Sequence, residues 1–161
     1  MCIRDRKLIN ARADTVDVKP SFRTAFAKSR CIVPASGWYE WRTIDVPDKV
    51  KRPYYLFSAM HEPLAFAGLL EAWQDPETGQ WLRTNAIITT DPCAELLPIH
   101  DRMPVILRKE DWATWLNPAS TPEQLRALLG PTRPGEVGVY EVAQTVNSIR
   151  NNGPELISPL H

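Results

Sequence analysis

Proline is the feature that most constrains how this chain can fold. It accounts for 15 of the 161 residues, whereas its usual share is about 5%. Proline lacks a backbone N–H and interrupts both helices and the interior strands of sheets. The sequence therefore predicts many short elements joined by shaped loops.

Short segments rich in aromatic and β-branched residues predict strands between these loops. Five of them lie in the first two thirds of the chain, at residues 31–34, 38–43, 54–58, 64–73 and 81–90, the last two joined by the turn 75–79. We expect these five to form an antiparallel meander.

Helical signals are short and stand near the ends of this strand-rich region. We predict helices at residues 20–28, 109–116 and 122–129, the last capped by Thr121 and stopped by Gly130. A helical turn is expected from Asp91 to just before Pro98, followed by a loop, and strands are expected at 105–107 and 137–142. The fold class is therefore α+β, an antiparallel β-rich core with a few short helices at the rim.

Length and composition fit a single domain over residues 1–161. No apolar run approaches 18 residues and the start has no apolar signal region, so we expect no membrane contact and a cytoplasmic, nucleoid-associated monomer. The three cysteines, Cys2, Cys31 and Cys93, are odd in number and far apart. They predict neither a disulfide framework nor a metal site.

The net charge of zero conceals an uneven distribution. Residues 1–52 carry twelve Lys or Arg and six Asp or Glu, while residues 53–161 carry seven and thirteen. A basic segment can neutralise phosphates and release counterions, although a solvated charged face would have the same composition. The six tryptophans could offer stacking platforms to unpaired bases, although most tryptophans lie in cores.

Three segments carry side chains suited to acid–base chemistry and anion binding. Glu40 alternates with aromatic residues in a predicted strand, and partial burial beside indoles would raise its pKa. His100 lies on a loop, and an imidazole is the side chain suited to passing a proton at cellular pH. Arg12 and Arg102 match the geometry of phosphate, and Asn10, two positions before Arg12, would project to the same strand face.

These segments, Asn-Ala-Arg at 10–12, Cys-Ile-Val-Pro-Ala-Ser-Gly-Trp-Tyr-Glu-Trp at 31–41, Ala-Ile-Ile-Thr-Thr at 86–90 and Ile-His-Asp-Arg-Met-Pro-Val-Ile-Leu at 99–107, resemble the SOS response-associated peptidase (SRAP) family. The resemblance runs from about residue 8 to about residue 157. Members of this family process abasic sites and crosslink themselves to single-stranded DNA. The resemblance implies a β-rich core with helices at its rim.

The resemblance also implies roles for individual residues. Cys2, exposed by removal of Met1, would be the nucleophile, its amine and thiol closing a thiazolidine ring on the opened sugar. Glu40 would be the acid–base group that also serves leader removal, and Asn10 and His100 would steady and open the sugar. Asp101 could orient either the His100 ring or Arg102. Arg12, Trp41 and Arg102 would contact the DNA, and no cofactor is implied.

The N-terminus departs from the family pattern. The family begins Met-Cys-Gly-Arg and continues for several tens of residues before its Asn-Ala-Arg motif. Here Ile3 replaces the glycine and Asn10 follows Cys2 almost at once. We therefore expect residues 1–6 to be a junction, with the N-terminal part of the domain truncated or replaced.

Two other functions remain open from the sequence. One is a non-catalytic remnant that binds single-stranded DNA. The other is a plain cysteine peptidase in which Cys31 or Cys93 attacks with the help of a histidine, although the apolar neighbours of both thiols suit inert core positions.

Overall fold

The computed structural model describes residues 2–3, 6–44 and 50–160, with the backbone alone for the two short strands at residues 2–3 and 6–7. The chain forms two compact units. The first comprises Met1–Pro34, Ala65–Asp91 and Pro104–Pro131, and the second comprises Ala35–Leu64, Pro92–Met103 and Thr132–His161.

The strands of the first unit form a hairpin and a larger mixed sheet. The hairpin pairs β1 (Cys2–Ile3) with β2 (Arg6–Lys7). The sheet has the order β3-β8-β7-β4, with β9 also paired to β8. Its strands are β3 (Asn10–Arg12), β4 (Arg30–Ala35), β7 (Leu64–Gln74), β8 (Trp81–Thr90) and β9 (Met103–Pro104).

The helices of the first unit are short and complete one hydrophobic core with the sheet. They are α1 (Arg23–Lys28), the 3₁₀ helix Lys109–Asp111, α2 (Trp112–Leu116) and α3 (Pro122–Ala127). Trp115 is fully buried among residues such as Phe26 and Leu69, and its indole N–H donates to the Cys31 carbonyl at 2.8 Å. Thr121 caps α3 in a capping box with Gln124, as predicted.

The second unit is built on a three-stranded antiparallel sheet of order β10-β6-β5. Its strands are β5 (Trp38–Ile44), β6 (Val50–Ser58) and β10 (Val137–Glu141), followed by the 3₁₀ helices Gln144–Asn147 and Pro154–Ile157. One sheet face carries a cluster of aromatic rings whose neighbouring centroids lie 5.3–6.0 Å apart, formed by Tyr39, Tyr55, Phe57 and Tyr140. Gly37 lies where a Cβ would overlap the Tyr55 ring.

The α+β class is confirmed, but the predicted meander is wrong. The strands at 38–44 and 50–58 belong to one sheet, whereas those at 30–35, 64–74 and 81–90 belong to another. β7 is buried over its first six residues, as expected for a strand in the interior of a sheet, and it lies between β4 and β8. One pairing, β3 with β8, is parallel.

Two further expectations change in detail. The helical turn begins at Cys93 rather than at Asp91. Its first hydrogen bonds run from the backbone N–H groups of Leu96 and Leu97 to the Cys93 carbonyl, and the turn continues to His100. The segment 105–107 is not a separate strand, although Val105 and Leu107 hydrogen bond to neighbouring strands. No helix in the described part of the chain is long and apolar enough to cross a membrane.

Candidate active site

Glu40 occupies the middle of β5 in the second unit. It is aligned with Tyr54 of β6, and strand alternation places it on the same face as Trp38, as predicted. Its side chain is only 19% exposed. Burial raises the pKa of the Glu40 carboxyl, while His100 and Trp38 act in the opposite direction. The expected carboxyl with a raised pKa is therefore present.

His100, the last residue of the turn at residues 93–100, faces this carboxyl. Its Nε2 atom lies 3.8 Å from Glu40 Oε2. On the other side of the ring, Nδ1 lies 3.1 Å from the backbone nitrogen of Arg102, 3.1 Å from the Arg102 carbonyl oxygen and 3.3 Å from Asp101 Oδ1. When Nδ1 accepts from the Arg102 N–H, the neutral ring carries its proton on Nε2, which points toward Glu40.

The two side chains of this pair differ in exposure. The carboxyl holds a proton more readily than an exposed glutamate because it is buried, and the His100 side chain is 41% exposed and open to solvent. A buried carboxyl beside a solvent-exposed imidazole is a pair of groups suited to proton exchange. The carboxylate of Asp101, whose side chain is 89% exposed, accepts from Nδ1 only when that atom carries a proton.

A cavity of about 420 Å³ opens beside the pair and is lined by Glu40, Trp41, Lys51, His100 and Asn147. The Trp41 indole N–H donates to Asn147 Oδ1 at 2.7 Å, which fixes the plane of the ring. Lys51 supplies a cation to the wall. A carboxyl, an imidazole, an ammonium group and an aromatic ring thus line one cavity.

Sequence reasoning did not identify Lys51 or Asn147. Lys51 reaches the wall through the pairing of β6 with β5, and Asn147 comes from a 3₁₀ helix 106 residues after Trp41. Neither residue lies in a motif that could have indicated this position.

Arg102 lies in the same loop as His100 and is half-buried. Asn10 and Arg12 belong to the first unit, where both lie exposed on β3 on either side of buried Ala11. Their predicted common face is therefore present. Arg12 binds Asp14 in an exposed ion pair, with Nη2 2.9 Å from Asp14 Oδ2 and Nε 3.2 Å from Oδ1.

The three cysteines differ in what can be said of them. The side chain of Cys2 lies outside the described residues, although the backbone of its strand is described. Cys31 is half-buried with its Sγ atom against Gly68, and burial raises the pKa of its thiol. Cys93 is buried. The raised pKa of Cys31 disfavours its thiolate, and the burial of Cys93 limits access to its thiol, which argues against a plain peptidase that uses either residue.

No candidate metal site is found within residues 6–44 and 50–160. Within these ranges, no group of three or more His, Cys, Asp or Glu side chains could hold a metal ion.

The comparisons with known proteins identify the family of the chain. The family model described as SOS response associated peptidase (SRAP) matches residues 3–149. The chain belongs to this family.

Several relatives are similar over most of the chain. It is 47% identical over 152 residues to the abasic site processing protein YoqW of Bacillus subtilis. This match covers 94% of this chain and 66% of the relative. It is 34% identical over 179 residues to the abasic site processing protein HMCES of Pongo abelii. That match covers 94% of this chain and 49% of the relative. The chain thus spans between half and two thirds of the length of these relatives.

A crystal structure of a protein from Bacteroides thetaiotaomicron has a similar fold. It superposes with a TM-score of 0.86 at 35% identity and covers 94% of this chain and 66% of that one. A structure from Bordetella bronchiseptica matches with a TM-score of 0.70 at 26% identity over 83% of this chain and 64% of that one.

Proposed function

We propose that this protein processes abasic sites by binding single-stranded DNA and linking itself covalently to the opened sugar. The observation that carries the proposal is the Glu40–His100 pair at 3.8 Å on the wall of a cavity that also contains Trp41. Membership of the SRAP family and the names of the relatives support the same activity.

The chemistry needs an aldehyde and an N-terminal cysteine. After Met1 is removed, the α-amine of Cys2, whose pKa near 8 leaves a useful fraction unprotonated, attacks the aldehyde carbon of the open sugar. Loss of one water gives an imine. The Cys2 thiol then adds across the C=N bond, sulfur bonding to carbon and the proton moving to nitrogen, which closes a thiazolidine ring without an oxidant or a reductant.

The described side chains suit the proton transfers in this sequence. His100 is suited to donate a proton to the ring oxygen of the closed sugar as the ring opens. Glu40 is suited to protonate the hydroxyl group that leaves as water when the imine forms. Glu40 would also serve the cleavage that exposes Cys2. We propose that Asn10 steadies the sugar, that Arg12 and Arg102 contact phosphates, and that Trp41 stacks on a base.

The test is covalent capture on a denaturing gel without a reducing agent. The protein is incubated with single-stranded DNA that contains one abasic site, with the same strand after reduction of its aldehyde to an alcohol, and with an intact strand. A heat-stable product with the abasic strand alone supports the proposal. Binding to all three strands without product would leave a non-catalytic DNA-binding protein instead.

The Cys2→Ser variant is the matched control. It keeps the α-amine but has no thiol, so any imine it forms stays reversible, and we expect no stable product. A product of equal yield from Cys2→Ser would refute the proposed nucleophile.

A further inference from the structure

The sheet of the first unit has one exposed face that the proposed chemistry does not use in full. Along β8, Ala86, Ile88 and Thr90 point into the core. The alternate residues Trp81, Arg83 and Asn85 are exposed. Trp81 is 66% exposed, which is unusual for an indole in a paired strand.

Strand register extends this face toward Arg12. In the parallel pairing of β3 with β8, Asn10 is aligned with Ile87 and Arg12 with Thr89. Because aligned residues of paired strands point to the same side of a sheet, Trp81, Arg83, Asn10 and Arg12 share one face. We call these four residues the Trp81–Arg12 face.

The charges on this face favour an anionic partner. The residues of β7 aligned with Arg83 and Trp81 are Ala72 and Gln74, both uncharged. The acidic residue of β7, Glu71, is aligned with Thr84 and therefore points to the opposite side. Asp14 binds Arg12. The turn that joins β7 to β8 next to Trp81 carries Asp75 and Glu77, and the Asp75 carboxylate accepts from the backbone N–H of Glu77 at 2.8 Å.

We propose that the Trp81–Arg12 face binds the single strand beyond the abasic nucleotide, with Trp81 stacking on an unpaired base and Arg83 contacting a phosphate. The proposal rests on the proposed function and deepens it by assigning the path of the strand. Six residues separate Arg83 from Thr89, the neighbour of Arg12, or about 20 Å of strand, which is long enough for several nucleotides. Base stacking on an aromatic ring tolerates any sequence, as the capture of randomly placed lesions requires.

The test compares noncovalent binding of two abasic oligonucleotides, of about 4 and about 16 nucleotides, which span typical single-strand site sizes. Trp81→Ala should weaken binding of the longer strand by roughly tenfold or more and leave the shorter strand unaffected. Trp81→Phe should recover most of the lost affinity because a ring remains. Arg83→Gln should reduce the salt dependence by about 0.7 in log–log slope, the share of one phosphate.

Leu82→Ala is the matched control. Leu82 is the chain neighbour of Trp81, is 45% exposed and points to the other side of the sheet, so its loss should change neither affinity nor salt dependence. At saturating DNA, we expect Trp81→Ala to form the covalent product at the rate of the parent. Equal rates would show that Trp81 serves binding and not the covalent step.

Three outcomes would overturn the inference. If Trp81→Ala binds the longer strand as tightly as the parent while capture continues, this face is wrong and the proposed function stands. If the parent binds neither strand, both proposals fail. If Trp81→Ala leaves affinity intact but changes the mass of the protein in solution, the face is a contact between copies of the chain.

Discussion

At the scale of single residues, the account depends on two opposing effects on Glu40. Burial favours the neutral carboxyl and raises its pKa, whereas the nearby His100 ring favours the charged form. The raised pKa is what brings a glutamate closer to the range in which it can exchange protons at cellular pH. We propose that these two residues, on a strand and a loop of the same unit, provide the acid–base function.

Replacing Glu40 with glutamine should remove this function and keep the shape. We expect Glu40→Gln to slow covalent capture by roughly 10²-fold or more, the scale of general acid–base catalysis, with unchanged affinity for an intact single strand. Single-turnover capture kinetics measure the rate. Glu71→Gln, a change at an exposed strand glutamate of the first unit, is the control, and an unchanged rate in Glu40→Gln would remove Glu40 from the chemistry.

The same substitution should change how stability depends on pH. A carboxyl with a raised pKa binds its proton more tightly in the folded protein than in the unfolded chain. Its contribution to stability is therefore complete below the unfolded pKa and is lost as pH rises through the folded pKa.

Glu40→Gln does not titrate at this position, so the two proteins should have similar thermal stability at acidic pH. The variant should become the more stable one as pH rises toward neutrality. Thermal unfolding of both proteins across this range measures the difference. A difference that stays constant with pH would contradict the burial of this carboxyl.

His100 and Arg102, two residues apart on one loop, should separate chemistry from binding. His100→Ala should slow capture with little effect on affinity, because its ring serves proton transfer. Arg102→Ala should weaken noncovalent binding and lower the salt dependence by about one phosphate. Titrations at several salt concentrations, combined with capture rates, distinguish the two, and the division of roles is wrong if His100→Ala abolishes binding.

At the scale of elements, the pairing of β5 with β6 positions the candidate site. This ladder aligns Glu40 with Tyr54 and brings Lys51 to the neighbouring strand. The aromatic rings of Tyr39 and Tyr55, 5.4 Å apart, stabilise the register from the opposite face. A shift of one residue would turn Glu40 away from His100.

Gly37 sets how closely the chain approaches at the start of β5. A Cβ there would overlap the backbone carbonyl of Leu56 and the Tyr55 ring, whereas one at Gly130 would meet nothing within 4 Å. We expect Gly37→Ala to destabilise the protein by about 1–3 kcal/mol, as overpacking does, and Gly130→Ala to leave it nearly unchanged. Denaturant unfolding of both variants tests this, and equal stabilities would contradict the close approach.

The local parts of the fold and site could be predicted from the sequence. Alternation of aromatic residues around Glu40 predicted its strand, its face and its raised pKa, and Thr121 predicted the cap of α3, because these signals act over a few residues. The division of the strands between two sheets could not be predicted in this way. It depends on which distant strands pair, and β6 and β7 follow each other in the chain but belong to different sheets.

At the scale of the whole molecule, the two units contribute different parts of the proposed activity. The second unit holds the Glu40–His100 pair and its cavity. The first unit presents Asn10, Arg12 and Trp81 on one exposed sheet face. We propose that the N-terminal cysteine links this binding and this chemistry to one covalent product.

The covalent link between Cys2 and the opened sugar is tested most directly by peptide mapping of the captured product by mass spectrometry. The crosslinked protein is digested with protease and nuclease, and the peptide that carries the sugar remnant is sequenced. The account predicts a remnant on the peptide that begins at Cys2, with its mass increased by the sugar aldehyde less one water. A remnant on a peptide containing Cys31, Cys93 or a lysine, with the N-terminal peptide unmodified, would contradict it.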